Sequence, residues 1–209
     1  MKLALLGDST LDNAAYVSGG SDVATHLGEI LPTGAEVELL ARDGSRVESV
    51  FAQLAHVRPG ATHLVVSAGG NDALDSIDLL DRPVASVGEA LDHLAAAADC
   101  FRRSYRRMLR AAASDDRRVA ACTIYDPAFE VPSFQSRAVA ALAHFNDVIV
   151  FEAALAGLPI LDLRRVCTEP AHYANPIEPS DAGGRRIAEA IARLLDAHRF
   201  ESGTCRIYA

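Results

Sequence analysis

The stretch LALLGDS, residues 3–9, is apolar at four successive positions and then breaks into Gly7, Asp8 and Ser9. Successive side chains of a strand point to opposite faces, so an uninterrupted apolar run marks a strand covered on both sides. Four further runs follow: EVELLAR (36–42), THLVVSAGG (62–70), RVAACTIYD (118–126) and LPILDL (158–163). Most are near-continuous rather than alternating, which is the pattern of a buried parallel sheet.

Helical spacing fills the intervals. Val23, Leu27, Ile30 and Leu31 recur behind Ser21, which reads as an N-cap. Val47, Val50, Phe51 and Leu54 follow Ser45-x-x-Glu48, the form of a capping box, and Ser86-x-x-Glu89 opens a long helix in the same way. Another helix is predicted from about Phe134 to Leu155 with Gly157 as its stop, and a last one carries Ile187, Ile191, Leu194 and Leu195 behind Ser180. Five strands and five helices in strict alternation predict an α/β fold, a five-stranded parallel sheet with helices on both faces. No repeat or linker divides residues 1–200, which read as one domain. The tail 201–209, ESGTCRIYA, is either loose or docked as an extra segment.

Bulk properties narrow the function. A chain of 209 residues that is 50% hydrophobic suits one domain with a sizeable core. Its formal charge of −8 argues against nucleic-acid and anionic-membrane partners. No run approaches the roughly 18 consecutive apolar residues of a membrane span, and MKLALLGDST is too short in apolar residues for a signal peptide. Cys100, Cys122, Cys167 and Cys205 are scattered, which favours reduced thiols and a cytoplasmic location over zinc or dithiol chemistry. The run FRRSYRRMLR, residues 101–110, reads as a solvated helix face whose aliphatic stems shield the core.

Ligands of open α/β sheets bind beyond the carboxyl ends of the strands. Those ends carry Gly7, Asp8 and Ser9, then Asp43, Gly44 and Ser45, then Gly69, Gly70, Asn71 and Asp72. The loop after the fifth run holds His172, Asn175 and Glu178. These residue types suit acyl transfer. Ser9 is a candidate nucleophile in a glycine-led turn, while the N–H groups of Ser9 and Gly44 and the amide of Asn71 form a candidate oxyanion hole.

The blocks Gly7-Asp8-Ser9, Gly44 and Gly69-x-Asn71-Asp72 resemble, in order, those of the SGNH hydrolases, also called GDSL esterases and lipases. The last block of that family, Asp-x-x-His before a Pro and the final helix, falls on Asn175-Pro176-Ile177-Glu178-Pro179. The resemblance implies a three-layer αβα, flavodoxin-like fold and attack by Ser9 on an ester or amide carbonyl. It also exposes two departures, because Glu178 stands where the base His is expected and Asn175 where its orienting Asp is expected.

Two readings of Glu178 follow. It is a first-turn carboxylate favoured by the helix dipole in a lapsed site, or it is the general base for Ser9, lifted by burial from about 4.3 toward the working pH. Asn175 then donates to Glu178 without adding a second negative charge. His172, in the same loop, is a further candidate base. Asp8 and Asp72 fix loop backbones, and no metal-ligand spacing is present. The loops 18–21 and 73–86 are expected to wall the pocket, and their lack of aromatic residues suggests a modest one. The leading expectation is a cofactor-free serine hydrolase acting on a small ester or acetylated metabolite. The alternative is an inactive binding protein of the same fold, and a phosphate cradle at the first strand ranks below both. No residue pattern names an oligomeric state.

Overall fold

The structure is a computed structural model that describes all 209 residues. In chain order its main elements are β1 (Lys2–Gly7), α1 (Val23–Ile30), β2 (Glu36–Leu39), α2 (Ser49–Ala55), β3 (His63–Ser67), α3 (Gly70–Leu74), α4 (Val87–Ala112), β4 (Arg118–Cys122), α5 (Pro132–Leu155), β5 (Ile160–Leu161), β6 (Tyr173–Asn175), β7 (Glu178–Pro179), α6 (Asp181–Ala197) and β8 (Ile207–Tyr208). The main sheet runs β2-β1-β3-β4-β5-β8 and is parallel throughout. It has six strands, not five. The sixth is the end of the tail, whose Arg206 and Tyr208 carbonyls accept from Ile160 and Asp162 N–H, both at 2.8 Å. A pair of two-residue strands is too short to carry a hydrophobic period, so the sequence left that docking open.

Alternation along the strands divides the core in two. Ala4, Leu6, Leu64, Val66, Val119 and Ala121 face α2, α4 and α5, while Leu3, Leu5, Val65, Ala120 and Cys122 face α1 and α6. Both faces of β1 are thus covered, and each fully buried Leu contributes about 1.5–3 kcal/mol. Between α4 and α5, Arg106 makes two bonds of 2.8 and 2.7 Å to buried Glu152. Arg106 belongs to the arginine run, of which Arg103, Arg107 and Arg110 are exposed while Arg102 is half-buried and stacks over Phe151 of α5. By length and composition α5 is long and apolar enough to cross a membrane; here its apolar side is packed against α4 and the sheet.

Two helix starts differ from the sequence reading. Asp22, not Ser21, caps α1 by accepting from Thr25 N–H at 2.7 Å, and Ser21 N–H goes instead to Asp181 at 2.8 Å. The Ser45-x-x-Glu48 box does not form, because α2 begins at Ser49 and the Ser45 hydroxyl accepts from the Gln53 amide. Ser86 and Ser180 cap α4 and α6 as expected, each accepting an N–H at 3.1 Å.

Candidate active site

The tip of β1 is shaped by Gly7. Its φ is +127°, and a Cβ there would lie 1.7 Å from the Ser67 carbonyl oxygen, so no other residue fits. The Gln53 amide, projecting from α2, accepts from Gly7 N–H at 2.7 Å and donates to Gly7 C=O at 2.9 Å. The chain then turns over Asp8, whose carbonyl accepts from Leu11 and Asp12 N–H and whose carboxylate accepts from Thr10 N–H at 3.1 Å. Ser9 sits at the crest of this turn, and its own N–H has no partner within the protein.

The ends of β2 and β3 close around the same point. Gly44, at φ +74°, occupies a tight turn in which Ser45 N–H donates to Arg42 C=O at 3.0 Å. Its N–H is unspent, and open space surrounds its α-carbon. Asp43 anchors this turn beside the Ser9 loop, donating from its N–H to Asp12 at 3.0 Å and accepting from the Tyr16 hydroxyl at 2.7 Å. Asn71 uses one amide hydrogen on Ser45 C=O at 2.9 Å, leaving the other available. Asp72 accepts from Val47 N–H at 3.0 Å, which is the loop-fixing role expected of it.

The last block is an antiparallel hairpin, β6 against β7, with Asn175 paired to Glu178 through the backbone. The Tyr125 hydroxyl donates to Ile177 C=O at 2.5 Å, and the Asn13 amide donates to Pro179 C=O at 3.3 Å. Glu178 is therefore held on both sides by its backbone. Its side chain is buried, Oε2 has no hydrogen-bond partner, and desolvation raises the pKa from 4.5 to about 7. The Ser9 hydroxyl opposes that rise as a donor, while the charges of Asp43 and Asp8 add to it. Asp8 is itself buried and pushed up to about 6, again mainly by desolvation.

Two expected roles in this loop are not supported by the geometry. Asn175 is exposed, and its Oδ1 accepts from Ile177 N–H at 3.0 Å, so it shapes the hairpin and makes no bond to the Glu178 carboxyl. His172 is buried outside the cavity, and its Nδ1 accepts from Thr168 and Glu169 N–H at 3.1 and 3.2 Å. With Nδ1 accepting both bonds, the neutral ring carries its hydrogen on Nε2 and has no nitrogen free to take a proton, so His172 serves as a loop plug.

Ser9, Asp8, Asn71 and Glu178 line one cavity of about 100 Å³. Its walls are mainly apolar: Leu74, Ile77 and Leu80 from one side, Leu94 of α4 and Ala138, Leu142 and Phe145 of α5 from another, and Ile124, Tyr125 and Phe129 after β4. Segment 73–80 contributes as expected, whereas 18–21 does not line the cavity, and three aromatic residues do. Gly44 lies outside the lining, in the turn that Asp43 ties to the Ser9 loop.

Sequence reasoning missed Gln53, Tyr125 and Asn146. Asn146 clamps Ile124 as Gln53 clamps Gly7, accepting from its N–H at 2.8 Å and donating to its C=O at 2.9 Å. For Gln53 a signal existed, since it falls three residues after Val50 on the inward stripe of α2.

Residues 5–197 match the family described as GDSL-like Lipase/Acylhydrolase. No curated protein matches the chain. Among solved structures, the extracellular lipase of Streptomyces rimosus is 19% identical with a TM-score of 0.67, covering 95% of this chain and 100% of its own. A lipase/acylhydrolase from Enterococcus faecalis is 20% identical with a TM-score of 0.62, covering 93% and 94%. An acetyl xylan esterase from Geobacillus stearothermophilus is 17% identical with a TM-score of 0.65, covering 92% and 93%. At such identities the likeness speaks for the fold, and it agrees with the six-stranded sheet flanked by helices. Matched over nearly its whole length, the chain belongs to the GDSL-like lipase/acylhydrolase family.

Proposed function

We propose that this chain is a serine carboxylic-ester hydrolase whose general base is a carboxylate, with Ser9 as nucleophile and Glu178 as base. The observation that carries the reading is the meeting of those two side chains in one cavity, where Glu178 is desolvated, unpartnered at Oε2 and raised to about 7. A carboxyl group poised near neutrality can both take and return a proton, which an ordinary Glu does poorly.

In this scheme Ser9 Oγ attacks the acyl carbon while its proton passes to Glu178. The tetrahedral oxyanion accepts hydrogen bonds from the free N–H groups of Ser9 and Gly44 and the spare hydrogen of Asn71. Collapse breaks the ester C–O bond, and the leaving oxygen takes the proton from Glu178. Water then attacks the acyl-enzyme, Glu178 again removing a proton, and Ser9 recovers its hydrogen as the carboxylic acid departs. Tyr125 and Asn13, through the hairpin backbone, do the positioning that an orienting Asp does for an imidazole.

The test is a pH profile of kcat/KM on a short-chain ester together with labelling by a fluorophosphonate. Because the base must be ionised, kcat/KM should climb about tenfold per pH unit below about 7 and level above it. Glu178→Gln should lose roughly 10²–10⁴ in rate and flatten the profile, and Ser9→Ala should abolish labelling. Labelling that persists in Ser9→Ala rejects the nucleophile, and a Glu178→Gln enzyme with an unchanged profile rejects the base. A binding protein of the same fold shows neither turnover nor labelling.

A further inference from the structure

We infer that the cavity beside Ser9 is an acyl pocket for neutral aliphatic chains of about four to six carbons, so that butyryl and hexanoyl esters outperform acetyl ones. The inference deepens the esterase reading and rests on it. Thirteen of the 21 lining residues are hydrophobic, and Leu94, Ala138, Leu142 and Phe145 wall the cavity from α4 and α5. An acetyl group would leave that surface wet or empty. A volume of about 100 Å³ is roughly two-thirds of an engineered cavity of about 150 Å³ that holds benzene, which sets the scale at about four carbons.

Charge sharpens the selection. No Lys or Arg lines the cavity, and its ionisable side chains include the carboxyls of Asp8 and Glu178. An anionic acyl group would meet like charge in a desolvated place with no cation to offset it. The specificity determinants assigned here are Ala138 and Ala141, small residues of α5 whose enlargement would fill the chamber.

The experiment compares kcat/KM for p-nitrophenyl acetate, butyrate, hexanoate, decanoate and hemisuccinate. Each added methylene that enters an apolar pocket is worth about fourfold, so butyrate, with two more than acetate, should exceed it by roughly fifteenfold. Hemisuccinate should fall below butyrate by a similar factor. Ala138→Leu should bring the butyrate-to-acetate ratio toward one, and Ala141→Leu offers the same readout if the first variant does not fold. Acetate as the best substrate, a ratio unmoved in a folded variant, or decanoate above hexanoate overturns the pocket assignment. So does a preference that follows the alcohol when methyl and hexyl butyrate are compared. Absence of both turnover and Ser9 labelling instead rejects the esterase reading. The pocket is then judged by thermal shift with acetamide, butyramide and hexanamide, where stabilisation by the longer amides that Ala138→Leu removes supports it and equal shifts reject it.

Discussion

Glu178 is where the proposed chemistry and the stability of this fold pull in opposite directions. Its pKa rises from 4.5 to about 7 on folding, chiefly through desolvation. Between those values the native state holds a proton that the unfolded chain has lost, so stability declines as pH rises through that window and is flat above it. The shift corresponds to roughly 2 kcal/mol after a discount for solvent reaching the group. Glu178→Gln should therefore be more stable than the parent at pH 8 by about that amount and indistinguishable from it at pH 4, as read by urea unfolding at both pH values. A less stable Gln variant at pH 8 would mean that the fold favours the ionised carboxylate. The opposition of Ser9 and Glu178 was legible, because strand tips and helix starts of an α/β sheet share one edge. The partner of Asn175 was not, since a hairpin this short turns its side chains by local hydrogen bonding that spacing does not encode.

At the scale of elements, the Ser9 turn is held from behind by α2. Gln53 satisfies both backbone polar groups of Gly7 in the core. Gln53→Leu leaves the Gly7 N–H unpaired, at about 1–3 kcal/mol, while Gly7 C=O keeps the Arg42 N–H at 3.0 Å, and it loosens the segment that carries Ser9. The expected outcome is a lower melting temperature together with a fall of tenfold or more in kcat per folded molecule and little change in KM, measured by steady-state kinetics on protein of known folded fraction. A purely structural Gln53 would lower the melting temperature and leave kcat alone. The strands and the long helices were readable because their apolar positions repeat many times. The start of α2 was misread because Ser45 and Glu48 have capping chemistry that tertiary partners take over: Gln53 claims the hydroxyl, and Arg107 pairs with the carboxylate at 3.2 Å. Local propensity yields to packing in such cases.

Across the whole molecule, alternating strands and helices specified the layers and the direction of every central strand. They did not specify that residues 207–208 extend the sheet, because a two-residue pairing leaves no pattern to read. The parallel main sheet also has a kinetic side. Each of its pairings joins residues 34 to 60 positions apart, from Leu3 with Val37 to Leu3 with His63, and none is a hairpin. Closing such loops costs entropy before any contact rewards it, so refolding is governed by long-range search, while α4 and α5 can form early from local bonds. After dilution from denaturant, helical circular dichroism should recover well ahead of esterase activity, which waits until the tips of β1 and β3 have found each other and the late hairpin has settled over them.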